Sequence, residues 1–245
     1  MLVTNKKCFF RGAFLLISFF AVFAFLLTPH FEGLEGGKKL TGLEFADGLF
    51  NSLSKGSSNF AEMVKEKIKP MQSKDVDITI ALKDPSIVPY IKPVIEGAGM
   101  TLVISEDQKK LTYKGNIGPF LEAVQQISEK MYNNDSKFVE QKYGVDKALG
   151  VTNACWNVLQ PSIKELQKQK MITEAGILDT VVRRAIEPAH NFYSVQASSV
   201  KEHAIMMSAL LIFYLVYTLW YGFGIFEMFE GIGLTMTKSK VKQEG

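Results

Sequence analysis

The sequence of 245 residues predicts an α+β fold, in which two transmembrane helices flank an extracytoplasmic domain with a small three-stranded mixed sheet. Three observations predict it: two long apolar blocks near the chain ends, basic residues outside those blocks, and a switch between them from helical to alternating periodicity and back. Hydrophobic residues make up 47% and charged residues 22% of the chain, which is typical of a folded protein and excludes wholesale disorder.

The first apolar block covers residues 12–28 and predicts transmembrane helix 1. Lys6, Lys7 and Arg11 precede it, an arrangement that a cleaved signal peptide shares. The block ends without the small-residue pattern that signal peptidase recognises, so an uncleaved signal anchor is the favoured interpretation. Residues 1–11 are then a cytoplasmic N-terminus.

The second apolar block, residues 204–226, carries no charge and predicts transmembrane helix 2. At about 1.5 Å per residue it is long enough to cross a hydrocarbon core of about 30 Å. Basic residues next to a span stay on the cytoplasmic side. Both termini are therefore predicted to be cytoplasmic, with residues 29–203 outside. The residues that signal this topology are Lys6, Lys7, Arg11, Lys238, Lys240 and Lys242.

The predicted outer region is electrically neutral, because residues 29–203 contain 22 basic and 22 acidic residues. Nucleic-acid binding needs a basic face on a folded domain, so this class of function is excluded. The basic ends are better explained as topology signals that also attract anionic lipid. We expect the bacterial inner membrane, with a periplasmic domain; an endoplasmic-reticulum or organelle membrane fits the same topology.

Periodicity divides the region between the spans into three parts and leaves 227–245 as a cytoplasmic tail. Residues 29–70 form a Gly-rich linker with two short helices, and Asn59 and Glu62 have the spacing of a capping box. Residues 71–143 form an α+β domain. Residues 144–203 form a helical hairpin, and a last helix that continues past Pro188 into the second span would root this hairpin in the membrane.

The α+β domain is predicted in the order strand–helix–strand–strand–helix. Apolar residues alternate with polar ones from Val76 to Leu82, and Asp84 followed by Pro85 is a helix start. A hairpin comes next, and Pro119 opens a long amphipathic helix with an irregularity near Asn133. A strand–helix–strand crossover is normally parallel and a hairpin is antiparallel, so the pattern predicts a mixed sheet.

The tyrosines of the second span share one helix face, because Tyr214, Tyr217 and Tyr221 lie at i, i+3 and i+7. A hydroxyl deep in hydrocarbon needs a hydrogen-bond partner. We therefore predict that this face, with Trp220, packs on another transmembrane helix of this chain or of another protein. An interfacial aromatic belt is the alternative; it accounts for Tyr221 but not for Tyr214 at mid-depth.

Few residues are candidates for a metal-binding, cofactor-binding or nucleophilic role. His30 follows the first span and His203 precedes the second, so one hypothesis is a shared metal, haem or quinone site, and the alternative is that they mark where the helices leave lipid. No third ligand is suitably spaced, and we predict no cofactor. Cys155 is expected to be a small buried hydrophobe, since no histidine is near it in sequence.

No catalytic motif occurs in the sequence, and no catalytic residue is predicted. The sequence favours a non-enzymatic accessory or structural subunit of a membrane complex. Its expected partners are membrane proteins, which would contact the second span and the outer domain, besides the lipid bilayer and further copies of the chain. Two alternatives are a ligand sensor without its own output domain and a redox or quinone-linked subunit that uses His30 and His203.

Overall fold

The computed structural model describes residues 3–33 and 37–234. It is a mixed α+β structure, as predicted. Its contacts divide the chain into a hairpin unit, Met1–Leu53 with Ser198–Gly245, and a central unit, Ser54–Ala197. In the described part, two helices are long and apolar enough to cross a membrane: α1 (Lys6–Leu26) and α10 (Val200–Gly231).

The rest of the hairpin unit is short. The strands β1 (Phe31–Glu32) and β2 (Lys39–Leu40) form an antiparallel pair, and α2 (Gly42–Ser57) follows, with its residues up to Leu53 in this unit. A capping box starts α2, because Thr41 N donates to Glu44 Oε2 over 2.8 Å and Glu44 N donates to Thr41 Oγ1 over 3.2 Å. The predicted box at Asn59 and Glu62 is wrong: Asn59 Oδ1 accepts from Ala61 N, and Glu62 pairs with Lys65.

The central unit contains the predicted order of strands and helices, with additional helices after it. Its elements are α3 (Ala61–Ile68), β3 (Asp75–Ala81), α4 (Val88–Gly97), β4 (Thr101–Ile104), β5 (Lys110–Asn116), α5 (Ile117–Tyr132), α6 (Ser136–Tyr143), α7 (Ala148–Lys168), α8 (Ile172–Val181), a π-helical turn (Val182–Ile186) and α9 (Glu187–Asn191). The predicted irregularity near Asn133 is the break between α5 and α6.

The three-stranded sheet is antiparallel throughout, so the predicted mixed sheet is wrong. Its order is β3–β5–β4, with Asp75 opposite Asn116 on one side and Thr101 opposite Lys114 on the other. The crossover leaves β3 and β4 parallel but one strand apart. The hairpin folds β5 back into that gap, where it pairs with both neighbours.

The core of the central unit lies between the helices and one face of the sheet. Alternate residues of β3, among them Val76, Ile78 and Ile80, are buried on this face, and Tyr113 of β5 is buried with them. The Tyr113 hydroxyl donates to Ser162 Oγ over 2.7 Å, which satisfies a polar atom in the core. Each fully buried large apolar side chain stabilises the unit by about 1.5–3 kcal/mol.

The helix before α10 does not continue into it, which corrects the predicted membrane-rooted hairpin. The chain is non-helical from residue 192 to 199, although α7 and α8 do pack together. The carbonyls of Phe192 and Val195 accept hydrogen bonds from the Lys55 ammonium group instead of from helical amides. Ser199 then caps a new helix, because its hydroxyl accepts from Lys201 N over 3.3 Å.

Candidate functional site: the apolar helical hairpin

Helices α1 and α10 pack against each other in antiparallel directions. The amides of Thr4 and Asn5 donate to the carbonyl of Gly231 over 2.9 and 3.0 Å, so the start of α1 lies at the end of α10. Glycines allow the close approach, because a Cβ added to Gly12 would lie 2.5 Å from Met228 N. The packing therefore depends on backbone proximity at small residues.

The three tyrosines of α10 differ in their contacts with α1. Tyr217 stacks on Phe19 of α1 with ring centroids 4.1 Å apart, and Tyr221 lies 4.8 Å from the same ring. Tyr214 is 70% exposed. Within the hairpin, α1 thus contacts two of the three tyrosines that the sequence placed on one face, and Tyr214 stays mostly exposed.

A groove of about 740 Å³ runs between the two helices. Arg11 and Glu227 belong to its lining and form a loose ion pair, 3.9 Å between nitrogen and oxygen. The Nε1 atom of Trp220 is buried without a hydrogen-bond partner in the described part of the chain. The other lining residues are apolar: Phe14, Leu15, Val216, Leu219 and Phe223.

The predicted topology residues are only partly described. Lys6 and Lys7 are exposed in the first turn of α1, which Asn5 caps through its side-chain oxygen. Arg11 is on the next turn. Lys238, Lys240 and Lys242 lie outside the described residues.

The two histidines lie near the ends of the two apolar helices. His30 stacks on Phe25 with centroids 4.6 Å apart, and His203 is half-buried in the first turn of α10. Within residues 3–33 and 37–234, no group of three or more His, Cys, Asp or Glu side chains could hold a metal ion. A metal, haem or quinone site at His30 and His203 stays a prediction without structural support.

Cys155 is buried in the central unit, as predicted. Burial raises the pKa of its thiol to about 12, because the thiolate would lose its hydration there. The thiol therefore stays protonated at neutral pH, and a protonated buried thiol is a poor nucleophile.

The central unit contains a buried ammonium group, that of Lys55, which the sequence did not predict. Lys55 Nζ donates to Asn134 Oδ1, Phe192 O and Val195 O over 3.1, 3.0 and 2.6 Å, and Tyr132 donates its hydroxyl to the Lys55 carbonyl. Burial lowers the pKa of Lys55. No local sequence pattern predicts that Lys55 is a buried hydrogen-bond donor, since a lysine before Gly-Ser-Ser is typical of a solvated loop.

Comparisons with protein-family models, with curated proteins and with solved structures found no match to this chain.

Proposed function

We propose that the chain is a two-pass protein of the bacterial inner membrane, which acts as a non-enzymatic accessory or structural subunit of a membrane complex. Both of its termini are cytoplasmic in this proposal, and residues 29–203 are periplasmic. The antiparallel packing of α1 and α10 supports it, because a helical hairpin returns the chain to the side from which it started. The exposed cations of Lys6 and Lys7 at the start of α1 fit a cytoplasmic end.

The observation that carries the partner-binding role is the exposure of Tyr214. This residue is 70% exposed, while Tyr217 and Tyr221 contact Phe19. The contacts of Gly12 with Met228 and of Phe19 with Tyr221 place Tyr214 beside the last turn of α1. In a bilayer its hydroxyl would face hydrocarbon, where an unpaired polar group is costly. A transmembrane helix of a partner protein would supply the missing hydrogen bond and cover the ring.

The central unit offers a second docking element. On the β3 side of the sheet, Gln169 Nε2 donates to the carbonyl of Asp77 over 2.9 Å and covers part of the edge. On the other side, β4 pairs only with β5 among the described strands, and Val103 in its middle is exposed. An uncharged edge strand with an exposed valine favours pairing with another chain.

Replacement of Tyr214 by Phe tests the proposal. The wild-type protein, purified in mild detergent, is expected to elute with a second membrane protein. We expect Tyr214→Phe to weaken that association by roughly three- to tenfold, as loss of one hydrogen bond in a membrane does. Tyr217→Phe is the matched control, because the Tyr217 hydroxyl is buried without a partner within the described hairpin.

The association is measured by size-exclusion chromatography with multi-angle light scattering and by mass spectrometry of the eluted chains. A wild-type protein that elutes as a lone monomer contradicts the proposal. Equal association of the two Tyr→Phe variants would remove Tyr214 as its basis.

A further inference from the structure

A small pocket in the central unit lies between the start of α3, helix α5 and the π-helical turn. Its volume is about 50 Å³, several times the roughly 10–15 Å³ that one water molecule needs. Most of its lining residues carry polar side chains. The polar side chains include Asn59, Gln125, Ser128, Glu129 and Arg184. This pocket is unrelated to the residues that support the proposed membrane role.

Ser128 contributes a hydroxyl that has no hydrogen-bond partner within residues 3–33 and 37–234. The residue is 3% exposed and lines the pocket from α5. A buried hydroxyl without a partner destabilises a fold, and each such group requires an explanation. A ligand in the pocket that accepts a hydrogen bond provides one.

Arg184 contributes a positive charge without a carboxylate partner in the described part of the chain. Its neighbour Arg183 is paired, with Nε 2.9 Å from Asp179 Oδ1. The guanidinium carbon of Arg184 instead lies 4.6 Å from the centre of the Phe60 ring, and this cation–π contact holds the group in place. Arg184 is therefore positioned and still free to bind an anion with its N–H groups.

The backbone around Arg184 is irregular. Glu187 N donates to the carbonyl of Val182, a five-residue spacing that defines the π-helical turn, and Pro188 lacks the amide hydrogen that a regular α-helix would use. π-helical turns occur frequently at functional sites. Here the turn places Arg184 in the lining of the pocket.

The start of α3 adds a positive dipole end. Phe60 occupies the N-cap position and provides no side-chain cap. Asn59 Oδ1 accepts from Ala61 N, which satisfies one of the amides of the first turn. The positive end of the helix, which carries Glu62 in its first turn, favours an anion nearby.

The one carboxylate in the described lining, Glu129, is paired with a lysine that lies outside the lining. Its Oε2 atom lies 3.1 Å from Lys65 Nζ and accepts a hydrogen bond from Gln125 Nε2 over 3.0 Å. The hydrogen bond from Gln125, followed by the interaction with Lys65, lowers the pKa of Glu129, so its charge is present at neutral pH. Lys65 Nζ also lies 2.9 Å from Glu62 Oε1, so the two carboxylates share this lysine. Arg184 is the cation of the described lining, and its guanidinium group has no carboxylate partner there.

We propose that this pocket binds a small oxyanion of the size of a phosphate group, with Arg184 and Ser128 as its side-chain donors. The guanidinium group supplies charge and a planar pair of N–H donors, and the serine hydroxyl supplies a third donor from the buried side. The same chemistry suits free phosphate and a phosphate group on a larger molecule.

Isothermal titration of the full chain in detergent with sodium phosphate tests the proposal, with sodium chloride of equal ionic strength as the blank. The wild type is expected to bind phosphate saturably. Arg184→Gln should weaken binding by about tenfold or more, as loss of a charge-assisted hydrogen bond does. Arg183→Gln is the matched control and should bind like the wild type. Saturable binding that Arg184→Gln leaves unchanged, or no saturable binding by the wild type, overturns the proposal.

Ser128→Ala separates ligand binding from structure. It should weaken phosphate binding several-fold and leave the melting temperature without phosphate equal or higher, because it removes an unpartnered hydroxyl. A lower melting temperature together with unchanged phosphate binding would assign Ser128 a structural role and contradict the proposal. Titration with glycerol 3-phosphate identifies the source of the phosphate group: tighter binding than inorganic phosphate indicates a larger phosphate ester, and weaker binding indicates the free anion.

Discussion

Isoleucines of the central unit are mostly buried, although Ile172 there is 63% exposed, whereas several isoleucines of the two apolar helices are exposed. Ile78 is fully buried in the central unit, whereas Ile17 on α1 and Ile205 on α10 are 70% and 89% exposed. The central unit thus covers its apolar side chains with its own chain, as a protein in water does. The two apolar helices leave theirs uncovered and hold together through glycines and stacked rings. This difference supports placing the hairpin in lipid.

The same substitution in both units should give the largest contrast. Ile78→Ala is expected to lower the free energy of unfolding of the central unit by about 2–5 kcal/mol, because it leaves a cavity in a closed core. Ile17→Ala should change stability by less than about 0.5 kcal/mol, since this side chain is mostly exposed in the described structure.

The two tryptophans allow each unit to be followed separately, because Trp156 belongs to the central unit and Trp220 to the hairpin unit. Urea unfolding of Ile78→Ala is measured by Trp156 fluorescence in a chain with Trp220 replaced by Phe. Unfolding of Ile17→Ala is measured by Trp220 fluorescence in a chain with Trp156 replaced by Phe. Equal destabilisation by the two alanines would contradict the contrast in burial.

Glycine substitutions test how the hairpin is held together. Gly12→Ala is expected to destabilise the α1–α10 contact by about 1–3 kcal/mol, because the new Cβ would meet the backbone of Met228. Gly222→Ala is the control, since a Cβ there has no described heavy atom within 4 Å. Titration with sodium dodecyl sulfate, followed by Trp220 fluorescence, measures the effect. Identical transitions for both variants would mean that close approach at Gly12 does not stabilise the hairpin.

Acid should slightly weaken one cap in each unit, that of Glu44 at the start of α2 and that of Asp84 at the 3₁₀ turn Pro85–Ile87 before α4. Hydrogen bonds from Thr41 lower the pKa of Glu44, and those from Ser86 lower the pKa of Asp84. Each cap is therefore intact above the ordinary pKa values of 4.5 and 3.8, and it is lost as the pH falls through the lowered value in the folded protein.

Amide exchange at Thr41 and Ser86, measured by NMR against pH, follows the two caps. Glu44→Gln should remove the acid dependence at Thr41 and leave that at Ser86 unchanged. Protection of Thr41 that persists far below the ordinary pKa of Glu44 would show that the carboxylate does not stabilise the start of α2.

Much of the local structure follows from the sequence. The alternation from Val76 to Leu82 predicted β3, and Pro119 lies in the first turn of α5. The two apolar blocks predicted α1 and α10, although α10 extends beyond the block at both ends. These features depend on residues a few positions apart, so hydropathy and turn chemistry determine them.

The candidate sites were less accessible to sequence reasoning. The spacing of the tyrosines on α10 showed that they share a helix face. Which of them contact Phe19 and which stay exposed depends on how α1 packs. A helix pattern identifies which residues share a face, and it does not identify what covers them. The pocket at Arg184 was not predicted, since Phe60, Ser128 and Arg184 are far apart in sequence.

The sequence by itself determined the two apolar segments, the α+β class and the order of elements from β3 to α5, because each depends on short-range periodicity. The tertiary structure decided that β5 lies between β3 and β4, that Lys55 holds the carbonyls after α9, and that Arg184 has an aromatic ring instead of a carboxylate beside it. These outcomes depend on which distant segments meet, and many pairings are compatible with the same local pattern. Packing of the central unit around its core selects among the pairings found there.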